Sequence, residues 1–163
     1  MTDTDASTST NTDARSGIEW SEQLSIGIDS IDRQHKTLIS YINELNNAIN
    51  KDLTANGKKD LVTIVINKLV NYTRIHFVYE EAIIFGFSSY PEAADHKEKH
   101  EKLFKGVDVF KERIQSVDIN DIEYFEELCT ELMMYMNEWL TNHILIEDMQ
   151  YAIYIKENGI KVK

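Results

Sequence analysis

The sequence predicts an all-α protein, an up-down-up-down four-helix bundle with a metal site in its core. Three observations predict it. Six glycines and one proline in 163 residues leave little punctuation, which fits long uninterrupted elements better than the many tight turns of an all-β chain. Apolar residues recur at helical spacing along four long stretches. All five histidines fall within those stretches, and three of them lie between His76 and His100.

Residues 1–17 (MTDTDASTSTNTDARSG) hold no periodic apolar side chains and cannot offset the entropy of ordering, so they read as a disordered polar tail ahead of one domain over 18–163. From Ile18 to Ile28 the chain is apolar but aperiodic, with Trp20 as an anchor suited to packing across a helix end. Asp29 or Ser30 can cap a first helix whose inward positions are Ile31, His35, Leu38, Ile42, Leu45 and Ile49. After the turn signal Asn56-Gly57, a second helix runs from about Lys58 to Phe85, with Val62, Leu69, Thr73, His76 and Glu80 facing inward. Pro91 suits the first turn of a third helix that presents Ala93, His96, His100, Leu103, Val107 and Ile114. The fourth, from about Asp121 to Glu157, presents Phe125, Leu128, Leu132, Met136, Trp139, His143 and Ile146, and ends at Asn158-Gly159. Short connections between four such helices give the bundle.

Composition excludes several classes of function. With 28 acidic against 17 basic residues the formal charge is -11, and no cluster of Lys and Arg is present to track phosphates. Nucleic acid and anionic membranes are therefore excluded as expected partners. Cys129, the single cysteine, permits no intramolecular disulfide and no thiolate metal cluster, and its place in an apolar stripe reads as a buried inert thiol. No run of 18 apolar residues and no apolar leader is seen, so a cytoplasmic location is expected. The acidic surface, with no evident apolar patch, favours a monomer.

The chemistry lies in the polar residues that interrupt the apolar stripes. His76 and Glu80 lie one turn apart on one helix, and His96 and His100 one turn apart on another. A single histidine on an apolar stripe is commonly a hydrogen-bonded core residue, but four helices each contribute one here. Burying them unsatisfied would cost about 1–3 kcal/mol for each neutral group and several for each charged one. The sum exceeds the roughly 5–15 kcal/mol of net stability of a typical domain. A metal that accepts imidazole nitrogen and carboxylate oxygen removes that cost. Five histidines and a carboxylate exceed one tetrahedral zinc site, so two irons in mixed nitrogen and oxygen ligation lead on chemistry alone. No Glu-x-x-His is present, which sets the pattern apart from the carboxylate-rich di-iron bundles. Spacing pairs His143 with Glu147, and leaves Asp148 about 140° away around the helix. Which of the two carboxylates joins the site stays open at this level.

Assembled, these residues resemble the hemerythrin family, more closely its bacterial single-domain members. The motifs that carry the resemblance span about Trp20 to Tyr154. They are Trp20 ahead of Ser25-Ile-Gly-Ile-Asp29, Ile31-Asp-Arg-Gln-His35-Lys-Thr-Leu38, His76-Phe-Val-Tyr-Glu80-Glu81, Tyr90-Pro91, His96-Lys-Glu-Lys-His100, and Trp139-Leu-Thr-Asn-His143-Ile-Leu-Ile-Glu-Asp148. The resemblance implies a di-iron site in which His96, His100 and His143 hold one iron and His35 and His76 hold the other, which keeps an open position. It implies Glu80 and Asp148 as bridges, together with an oxo or hydroxo group. This favours Asp148 over Glu147, which then reads as a solvated residue or a supporting partner. It also implies an apolar oxygen pocket at Leu38, Phe77, Trp139 and Ile144. The implied activity is reversible dioxygen binding for carriage, storage or delivery, with an oxygen-using enzyme as a candidate partner and no enzymatic activity of its own. The alternatives are a di-iron enzyme acting on peroxide or nitric oxide, and an oxygen or redox sensor. Departures are small: the segments between His35 and His76 and between His100 and His143 look longer than in compact members, and Ile84-Phe85 stands where methionine is common.

Overall fold

Asp32 sets where the first helix begins. A computed structural model describes residues 17–162. In it the Asp32 carboxylate accepts hydrogen bonds from the Ile26 backbone N–H at 2.9 Å and from Ser25 Oγ at 2.6 Å. Gly27, between them, takes φ +78°, a conformation that favours glycine. Helix α1 (Asp29–Asn50) therefore leaves from Ile28, which makes no side-chain cap. Asp29 and Ser30, expected to cap, lie inside the first turn, because a carboxylate one turn further on already reaches back to the incoming chain.

Helix α2 (Ala55–Glu81) starts three residues ahead of the expected Lys58. Thr54 Oγ1 accepts from the Gly57 N–H at 3.2 Å and satisfies a donor of the first turn. That cap offsets the roughly 1 kcal/mol cost of glycine in a helix, so Asn56-Gly57 is helical rather than a turn. The chain then widens into a π-helical turn, Ala82–Ser88, and stops at Ser89 with φ +50°. Pro91 sits in the turn closed by the Ala93 N–H on the Tyr90 carbonyl at 3.2 Å, so it lies just ahead of α3 (Ala93–Ser116) instead of in its first turn.

Asp121 caps α4 (Ile122–Asn142) by accepting from the Tyr124 N–H at 3.1 Å. A second π-helical turn, His143–Asp148, leads into α5 (Met149–Glu157). Gly159, at φ +64°, closes that helix as expected, with its N–H on Lys156 O and the Ile160 N–H on Ile155 O at 3.2 and 3.0 Å. The expected fourth helix thus divides into two α-helical parts about a wider turn. Ile146, expected inward, is 51 % exposed in consequence, while Asp148 is fully buried.

The four long helical rods form the four-helix bundle that the sequence predicts. At the end where α1 finishes and α4 begins, Leu45, Val62, Ile66, Val107, Leu128 and Leu132 fill the core, and burying each such side chain stabilises by about 1.5–3 kcal/mol. Cys129 belongs to this end, and burial pushes its thiol up to about 11. The surface is less uniformly polar than composition implies. Ile64, Ile75, Val78 and Phe85 on the α2 rod are 51–70 % exposed. No helix among the described residues is long and apolar enough to cross a membrane. The polar tail expected over residues 1–17 lies, apart from Gly17, outside the described residues.

Candidate metal centre

The other end of the bundle collects the polar residues of all four rods. His35 comes from α1, His76 and Glu80 from α2, His96 and His100 from α3, and His143 and Asp148 from the two ends of the second π-helical turn. None is more than 3 % exposed. Their donor atoms fall into two groups, His35, His76, Glu80 and Asp148, and Glu80, His96, His100 and His143. Within each group the donors lie within 4.8 Å of one another.

The carboxylates lie between the groups. Asp148 Oδ2 is 3.1 Å from His35 Nε2, while its Oδ1 is 3.1 Å from His143 Nε2 and 3.5 Å from His96 Nε2. Glu80 Oε2 is 3.2 Å from His100 Nε2, 3.5 Å from His96 Nε2, and 3.8 Å from both His76 Nε2 and His143 Nε2. The local backbone explains why Asp148, five residues past His143, reaches inward. In a π turn the N–H of residue i+5 bonds the carbonyl of residue i, as the Met149 N–H does with Ile144 O. Five residues then make about one turn, and a histidine and an aspartate at that spacing share a face. Glu147 points away and pairs with Lys99.

Neighbouring side chains orient the donors. His76 Nδ1 donates to Gln34 Oε1 at 2.8 Å and His100 Nδ1 to Glu81 Oε1 at 3.0 Å, which turns the Nε2 lone pairs of both rings inward. Tyr151 Oη donates to Glu80 Oε1 at 2.6 Å. Gln34 and Tyr151 were not among the residues that the sequence singled out. Tyr151, a buried phenol three residues after Asp148 on the same helical face, is the one that spacing offered.

A cation fits this pocket better than any hydrogen-bond network. His35 Nε2, His76 Nε2, His96 Nε2, Glu80 Oε2 and both Asp148 oxygens are buried with no hydrogen-bond partner among the described residues. His100 Nε2 and His143 Nε2 face each other at 3.2 Å. Since Nδ1 carries the His100 proton, that Nε2 is a lone pair. Inward lone pairs on nitrogen and oxygen, with no thiolate, make a donor set for a metal of intermediate softness. Burial is the main cause that lowers His76 and His143, to about 3, and His35, also downward. They stay neutral, the form that ligates. Burial opposes ionisation of Glu80, yet the imidazoles around it, His76 foremost, then His100, His143 and His96, hold it well below the usual carboxylate range. Burial and the nearby Glu80 charge push Asp148 well above that range.

Of the four residues expected to form an apolar pocket, two stack on histidines of these groups. Phe77 stacks on His100 with ring centroids 3.5 Å apart, and Trp139 stacks on His143 at 4.5 Å. Leu38, one turn past His35, and Ile144, next to His143, are buried.

Comparison with known proteins places the arrangement. A family profile described as Hemerythrin HHE cation binding domain matches residues 26–153. A bacteriohemerythrin of Stenotrophomonas maltophilia (strain R551-3) is 34 % identical over 139 residues, which is 85 % of this chain and 82 % of that protein. One of Pseudomonas aeruginosa (strain LESB58) is 31 % identical over 142 residues, 86 % of this chain and 83 % of that one. A hemerythrin-like protein of Naegleria gruberi is 26 % identical over 136 residues, 83 % and 92 % of the two chains.

Proposed function

We propose that this chain, which belongs to the hemerythrin family, holds two iron ions in its buried pocket and binds dioxygen reversibly there. The observation that carries the reading is the pair of four-donor groups that share Glu80 and are spanned by Asp148. In this reading His96, His100 and His143 would hold one iron, and His35 and His76 would hold the other. Glu80 and Asp148 would complete the donor set. Two irons, when bound, supply electrons that dioxygen takes up and gives back.

The side chains around the ions set the outcome. Gln34, Glu81 and Tyr151 hold His76, His100 and Glu80 in orientation. Phe77 and Trp139, stacked on His100 and His143, together with buried Leu38 and Ile144 would line the pocket with hydrocarbon and aromatic surface and limit the entry of water and protons. Such a wall favours binding and return over turnover. Carriage, storage and delivery to an oxygen-using enzyme all fit that chemistry.

The test is a visible absorption spectrum of the iron-loaded, reduced protein, recorded without oxygen, in air, and again after oxygen is removed. A charge-transfer band that appears in air and fades on deoxygenation is expected. A band that never forms, or an irreversible change to an oxidised spectrum, contradicts reversible binding. It would leave peroxide or nitric oxide chemistry, or sensing, as the leading role.

A further inference from the structure

The metal pocket has a cavity at its outer wall whose chemistry suits a cation rather than a gas. Between the start of α3 and the second π-helical turn lies a cavity of about 180 Å3, lined in part by Tyr90, Glu92, Asp95, His96, Lys99 and Glu147. Glu92 and Asp95 are exposed, and Tyr90 Oη holds the Glu92 carboxylate at 2.5 Å. His96 is only 3 % exposed, and its Nε2, without a hydrogen-bond partner, belongs to the three-histidine group. A second cavity of about 440 Å3 lies on the far side of Lys99 and Glu147 and reaches Trp139 and His143. That one sets Lys99 and Lys102 against Glu138 and Glu147, so its wall carries no net charge, and Trp139 stacks over His143. The Lys99–Glu147 ion pair lines both cavities.

We propose that the smaller cavity is the port through which divalent metal cations reach the pocket, with Lys99 as its bar. The inference rests on the metal-binding reading above. Three carboxylates against one lysine leave this wall with a net negative charge, which raises the local concentration of cations. While Glu147 is paired with Lys99, the ammonium stands beside the path to His96. When Glu147 turns from Lys99 toward an arriving cation, the bar opens and a carboxylate accompanies the ion inward. Neither cavity touches His35 or His76. The three-histidine group therefore fills first, and the second ion follows through it.

The experiment uses the full-length, metal-free protein mixed with Co2+ in a stopped-flow instrument, with uptake read from the cobalt absorption bands. The double variant Glu92→Gln/Asp95→Asn is expected to take up cobalt about tenfold more slowly, to the same final occupancy. Wild-type uptake should slow as salt rises from low to physiological concentration, and the double variant should lose most of that dependence. Lys99→Gln should load faster than wild type. Uptake by the double variant within twofold of wild type, with the salt dependence intact, overturns the port while leaving the metal site standing. Wild-type protein that takes up no cobalt overturns the metal reading itself, and the port with it.

Discussion

At the end of the bundle where α1 finishes and α4 begins, Leu45, Val62, Ile66, Leu128 and Leu132 meet as hydrocarbon, and the helices around them are regular. At the other end the same four rods bring five histidines and two carboxylates together with scarcely any solvent exposure, and both π-helical turns are there. The apolar end is complete as it stands. The polar end has buried nitrogen and oxygen atoms, without partners among the described residues, facing one another, an arrangement that a bound cation would stabilise. Helical irregularity follows the same division, because hydrocarbon packs acceptably at several rotations whereas the Asp148 carboxylate meets His35 and His143 only from a wider turn.

The largest test of that division is Glu80→Ala. Glu80 belongs to both donor groups, so the variant is expected to lose both ions. With them goes the stabilisation that bound metal confers, about 4 kcal/mol for a ligand present at a thousand times its Kd. Metal analysis and thermal melting in the presence of metal read it, and unchanged metal content would break the assignment. Acid gives the next effect, in the metal-free protein. His76 and His143 sit at about 3 when folded, against 6.5 ordinarily. Below 6.5 the unfolded chain therefore binds more protons than the folded one, and stability falls as pH drops from 6.5 toward 3. The loss is on the order of several kcal/mol across that window, since each histidine that stays neutral costs about 1.4 kcal/mol for every pH step below 6.5. Urea midpoints that stay level from pH 7 to pH 5 would contradict it.

Leu132→Ala probes the opposite end. Leu132 is fully buried, and its truncation is expected to cost about 2–5 kcal/mol while leaving metal stoichiometry unchanged. Loss of metal under native conditions would show that the two ends are not separable. The smallest change sharpens the comparison within the polar end. Tyr151→Phe removes one hydrogen bond to Glu80, and should weaken metal binding by about 10–100-fold at a stability cost of about 1 kcal/mol in the metal-free protein. Equal affinity in competition with a chelator would show that the phenol does not orient the carboxylate.

The same division marks what could be read in the sequence. The four rods follow from apolar spacing, and His35, His76, Glu80, His96 and His100 stand out because they occupy inward slots on regular helix. Ile146 and the choice between Glu147 and Asp148 could not be settled by spacing, since that reasoning takes 3.6 residues per turn and the backbone from His143 to Asp148 does not keep it. The helix starts were also hidden. Asp32 holds the incoming chain from within its own helix and Thr54 caps from ahead of a glycine, both decided by hydrogen bonds that a propensity scale does not contain. Gln34 meets His76 across 42 residues of chain, and Tyr151 meets Glu80 across 71. Only the packed bundle brings those pairs together.

The most direct measurement is the metal content of the full-length chain after anaerobic reconstitution with ferrous iron and removal of the excess. Two irons per chain are expected, lost together in Glu80→Ala. One iron per chain, or none, would contradict a pocket built as two donor groups around a shared carboxylate.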